Sequence, residues 1–143
     1  MIKSVKRAGE PTGIVQPITV EIAPGELIDK ITILQIKNER ITEPEKLANV
    51  RVELDTLLAT RDRTIEPSAE LTELTAELKA VNERLWQIED GIRDCERNAD
   101  FGPQFIELAR AVYHSNDLRA NLKRRINVLL GSRLIEEKSY SAY

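Results

Sequence analysis

The stretch LTELTAELKAVNERLWQIEDGIRDC, residues 71–95, decides the fold of this chain. Leu71, Leu74, Leu78, Val81, Leu85, Ile88, Ile92 and Cys95 alternate at spacings of three and four without a fault. An apolar residue recurring about every 3.5 positions holds one seam of a long helix against a partner, as in coiled-coil packing. A strand, whose side chains alternate faces, has no use for this spacing.

Working outward, Glu66-Pro67-Ser68 interrupts the chain upstream, and Ser68 is placed to cap the helix that follows. Before the break, Leu47, Val50, Leu54 and Leu57 predict a helix over 43–64, with Thr42 and Glu45 as a capping box. So short a break predicts that this helix and the next are antiparallel neighbours. Further upstream, Leu27, Ile28, Ile31, Leu34 and Ile41, widened by Ile33 and Ile36, predict a helix over 26–41 that lies between neighbours. Downstream, Asp100-Phe101-Gly102-Pro103 ends the long helix. A fourth helix is expected over 104–130, followed by a tail from Leu134 to Tyr143.

Ile18, Val20 and Ile22 alternate with Thr19 and Glu21, predicting one short N-terminal strand. The expected fold is therefore all-α: a four-helix antiparallel, coiled-coil-like bundle with that strand. Residues 1–17 are expected to form a flexible arm, and residues 18–143 a single helical domain. A lone strand leaves its backbone groups unpaired, and the third helix outlasts the second. Both point to self-association as a dimer or higher symmetric assembly.

Composition narrows the function classes. The 143 residues are 31% charged and only 4% aromatic, which suits long helices with solvated faces. A single cysteine, Cys95, permits no internal disulfide and sits on the seam as a core residue, so a reducing, cytoplasmic setting is expected. No signal peptide and no membrane span are expected. The net charge of −3 is uneven: residues 66–100 hold ten acidic and four basic side chains, and residues 101–143 four and seven. The run Lys123-Arg124-Arg125 is one short basic cluster without interleaved aromatics in a chain of pI about 5.4, which argues against nucleic acid. P-loop, dinucleotide and zinc-protease motifs are absent. With one histidine (His114) and one cysteine, no metal site or cofactor is expected.

Two polar stripes interrupt the apolar pattern. On the third helix, Trp86, Glu89 and Arg93 flank the seam at spacings of three and four, with Asp90 beside them. An i,i+4 Glu–Arg pair on a surface is the plainer account. On the fourth, Tyr113, Asn116, Ala120, Lys123 and Asn127 form a heptad stripe that is polar where a core helix should be apolar, with Arg119 nearby. Folded as a hairpin, the two stripes meet. The candidate ligand-binding residues are Trp86, Glu89, Asp90, Arg93, Tyr113, Asn116, Arg119 and Lys123. The leading expectation is a non-enzymatic, homo-oligomeric helical binding or scaffold protein, with a protein or a small anion as partner. The alternative is a binding protein or enzyme for a small anionic ligand, in which Glu89 or Asp90 acts as base while Arg119 and Lys123 hold the anion.

Three stretches carry a resemblance: GELIDKITIL at 25–34, LWQIEDGIR at 85–93, and FIELARAVY at 105–113 continuing through Asn116-Asp117 to EEKSY at 136–140. They resemble a family of short bacterial proteins of unknown function, over about residues 18–143. The resemblance implies no activity and assigns no residue a role.

Overall fold

The computed structural model describes residue 13 and residues 16–143, and the predicted arm lies largely outside them. Four helices follow in order: α1 (Pro24–Arg40), α2 (Pro44–Thr64), α3 (Ala69–Arg97) and α4 (Pro103–Leu129). Three of them, α1, α2 and α4, begin with proline in the first turn, where no backbone N–H is needed and φ is already helical. Ser68 caps α3, its Oγ accepting from the Leu71 N–H at 3.1 Å. The Thr42 capping box does not form: α2 starts after Glu43, without a side-chain cap, because Pro44 fixes its first turn instead.

α1 is the hub. It packs on α2, α3 and α4, and α3 packs on α4, while the axes of α2 and α3 do not come together. The predicted α2–α3 hairpin is thus replaced by a sandwich in which α1 lies between. Residues 65–68 cross in an extended conformation, with Ile65 and Ser68 both in the β region. α1 is the most apolar of the helices, and burying it from several sides removes more apolar surface from water than pairing α2 with α3 directly.

The seam of α3 performs as expected over its first part, with Leu71, Leu74, Leu78 and Val81 buried against Leu27, Ile28, Ile31, Leu34, Leu122 and Ile126. Ile31, Leu78 and Ile126 are fully excluded from solvent, each worth about 1.5–3 kcal/mol of transfer free energy. Farther along α3, Ile88 and Cys95 are also buried. There α4 of the same chain is the partner: the backbone at Gly91 faces Leu108. The far half of α3 thus packs on α4 of the same chain.

Residues 18–22 form no strand. Ile18 is 76% and Val20 70% exposed. At the other end, Gly131 adopts φ +64 and lets Ser132 N–H turn back to the Asn127 carbonyl at 2.8 Å, closing α4. The tail then returns along α4. Glu136 pairs with Lys123, Glu137 with Arg124 and Lys138 with Asp117, and the Tyr143 hydroxyl donates to Asp117. No helix among the described residues is long and apolar enough to cross a membrane.

Candidate functional site

α1 carries a second stripe, Gly25, Asp29, Thr32 and Ile36, spaced four-three-four and buried throughout. Its polar members meet α3 and α4 in a closed network. The Asn82 amide donates both hydrogens, to Asp29 Oδ1 and to Thr32 Oγ1, each at 2.9 Å. Thr32 Oγ1 donates in turn to the Asp29 carbonyl at 2.8 Å. Arg119 grips the same carboxylate side-on, Nε to Oδ1 at 2.9 Å and Nη2 to Oδ2. One turn toward the start of α1, the Lys123 ammonium lies 2.7 Å from both Glu26 and Glu136. The Gly25 N–H donates to Asn127 Oδ1 at 2.7 Å.

This arrangement uses the cations of α4 differently from the sequence expectation. Arg119 and Lys123 were expected to face the acidic residues of α3, but they meet the carboxylates of α1 and of the tail. The opposite net charges of residues 66–100 and 101–143 would suit an attraction between α3 and α4, yet among the described residues the one ion pair joining those helices is the exposed Glu77–Arg125 contact at 3.6 Å.

Burial pushes the Asp29 carboxyl up, but the hydrogen bonds from Arg119 and Asn82 outweigh it and hold the group below its ordinary value. Burial likewise works against the Lys123 charge, and Glu136 and Glu26 overcome it, raising the ammonium above its ordinary value. Hydrogen bonding to Asp29 raises Arg119 as well. A depressed carboxyl stabilises the fold above its unfolded value, near 3.8, and loses that contribution as pH falls through the folded value. A raised lysine contributes fully below its unfolded value, near 10.5, and loses the contribution as pH rises beyond it. The expected result is a melting temperature insensitive to this network between about pH 5 and 9. Below about pH 4 it should fall, and the fall should be shallower in Asp29→Asn when both are followed by circular dichroism.

Beside the network lies an open groove of about 590 Å³ between α1, α3 and α4. Its walls are Ile33, Ile36 and Lys37 from α1, Asn82, Leu85, Trp86, Glu89, Asp90 and Arg93 from α3, and Val112, Asn116 and Arg119 from α4. Six of the eight residues picked out in the sequence are thereby brought together: Trp86, Glu89, Asp90, Arg93, Asn116 and Arg119. The other two stand elsewhere. Lys123 is enclosed beneath the tail, with its side chain 9% exposed. Tyr113 turns outward and packs on His114 and Tyr143. Glu89 and Arg93 do form the plain surface pair, at 3.5 Å.

Sequence reasoning missed Glu26, Asp29, Thr32 and Glu136. The signal was available for two of them, because Asp29 and Thr32 sit among isoleucines on a helix otherwise apolar on several sides. Among the described residues no group of three or more histidine, cysteine or carboxylate side chains is placed to hold a metal ion.

An all-α protein with a network-braced groove at the crossing of three helices is the class that fold and site define. The chain belongs to a family of unknown function (DUF6165), whose pattern it matches over residues 18–143. No curated protein and no solved structure matches it.

Proposed function

We propose that this protein binds a small anionic ligand with an apolar body in the groove between α1, α3 and α4. The observation that carries the reading is the guanidinium of Arg119. Asp29 holds its Nε and Nη2, the side chain remains 30% exposed at the groove wall, and among the described residues Nη1 has no partner. An arginine whose orientation is fixed by a buried carboxylate loses little freedom on binding, and its planar fork suits a carboxylate or phosphate. Ile33, Ile36, Leu85, Trp86 and Val112 supply apolar walls for the remainder of such a ligand, in keeping with the mixed lining of small-molecule sites.

A second reading, a self-associating scaffold, draws support from Ile18 and Val20, which are exposed, take part in no backbone hydrogen bond among the described residues and alternate as an edge strand would.

Native mass spectrometry of gently purified protein tests both. A small added mass that disappears in Trp86→Ala, while the oligomeric state is unchanged, is the result expected of the groove. An oligomer that carries no added mass and dissociates in Val20→Lys would favour the scaffold instead.

A further inference from the structure

The charges around the groove specify more than an anion. Lys37 on α1 and Asp90 on α3 both line it, and among the described residues neither takes part in an ion pair. Glu89, the neighbour of Asp90, is occupied only by the loose, exposed contact with Arg93. The groove thus offers three cations, Arg119, Lys37 and Arg93, the last of them turned to Glu89, and one unpaired carboxylate, Asp90, with Trp86 and Leu85 between the Arg119 end and Asp90 on the α3 wall.

Their separation bears on the size of the ligand. Asn82 shares Asp29 with Arg119, so it marks the arginine end of the groove. Asp90 lies eight residues farther along the same helix, about 12 Å at the rise of an α-helix. The ammonium and carboxylate of a free amino acid are too close together to reach both ends. A chain extended at about 3.3–3.6 Å per residue covers roughly 10 Å in three residues.

Building on the groove reading, we infer that the ligand is a short zwitterionic peptide of about three residues with apolar side chains. Its carboxylate meets Arg119, its free ammonium meets Asp90, and its side chains lie on Trp86, Leu85 and Ile33. Such a ligand satisfies both signs of charge at once, whereas a simple carboxylate leaves Asp90 beside an apolar body and partly desolvated.

Trp86 is the only tryptophan of the chain and provides the readout. Its fluorescence is followed while the full chain is titrated with Ala-Leu-Leu, the same peptide N-acetylated, the same peptide amidated at its C-terminus, and 4-phenylbutanoate. The free peptide is expected to bind about tenfold more tightly than the acetylated one, and the amide about tenfold more weakly than the free peptide, as for loss of a charged hydrogen bond. In Asp90→Asn the preference for the free peptide over the acetylated one should vanish, with the affinity for the acetylated peptide unchanged. If the acetylated and free peptides bind alike, the zwitterion inference is overturned and the anion reading stands. The same holds if 4-phenylbutanoate binds and no peptide does. If the amide binds as well as the free acid, or if none of the four compounds binds, the anion reading falls too.

Discussion

Replacing Asp29 by alanine should destabilise the protein by on the order of 3 kcal/mol, near the lower end of the cost of breaking a buried ion pair from one side. The carboxylate is 1% exposed and receives hydrogen bonds from Asn82 and Arg119. Its removal leaves one of the two Asn82 amide hydrogens unpaired in the interior, the other still held by Thr32, and leaves a void between three helices. Arg119 limits the damage, because its side chain is 30% exposed and can turn toward water. For a chain of this length the corresponding fall in melting temperature is roughly 10 °C, read by thermal denaturation near neutral pH. A companion variant separates charge from packing. Exchanging Asp29, Asn82 and Arg119 together for Leu, Leu and Met removes the donors along with the acceptor, and buried polar sets treated this way are often neutral or stabilised. If the triple variant regains the stability that Asp29→Ala loses, the network serves to orient α1 and Arg119, and Trp86 fluorescence should then show ligand binding lost from a stable fold. A triple variant as unstable as Asp29→Ala would mean that the polar contacts themselves hold the helices together.

How much of this was legible in the sequence depends on which forces set each feature. The heptad run from Leu71 to Cys95 and the capping serine at Ser68 act within one helix, and both appear where periodicity and local chemistry put them. Helix pairing is a choice among partners, and local pattern could not make it. The break at 65–68 is short enough for a hairpin, but the apolar breadth of α1 drew it between α2 and α3. The polar stripe on α4 is enclosed at its far end, where Lys123 and Asn127 are buried, while Tyr113 at its near end stands exposed. Its partners were assigned by net charge to the acidic α3, whereas register placed Glu26 and Asp29 of α1 opposite Lys123 and Arg119. Single carboxylates placed in register outweighed the larger but solvated charge of α3, because Coulomb energy in a desolvated site exceeds that between screened groups. The N-terminal alternation of Ile18, Val20 and Ile22 forms no strand, and among the described residues no backbone ladder pairs with it.

Gly25→Ala is the other substitution from which a large loss is expected, again on the order of 3 kcal/mol, combining overpacking with strain on a buried hydrogen bond. A Cβ at residue 25 would stand 2.8 Å from Asn127 Oδ1 and closer still to the Lys123 carbonyl oxygen. That oxygen belongs to the backbone of α4, so relief requires one helix to move away from the other. Moving α1 from α4 lengthens the Gly25–Asn127 hydrogen bond and loosens the Lys123–Glu26 and Arg119–Asp29 contacts, which all lie on the same interface. Gly91→Ala supplies the contrast. There a Cβ would meet only the tip of Leu108, at 3.1 Å. A flexible side chain can yield by a few tenths of an ångström, and alanine is favoured over glycine within a helix by up to about 1 kcal/mol. Gly91→Ala should therefore leave the stability unchanged or slightly raised, while Gly25→Ala lowers it, both measured by urea denaturation. The double variant Gly25→Ala with Asn127→Ala identifies the source. Removing the Asn127 side chain eliminates one obstacle but leaves the Lys123 carbonyl in place, so most of the loss should persist. Full recovery in the double variant would show that the side chain alone sets the close approach of α1 and α4, and that the backbone contact can be relieved without separating the helices.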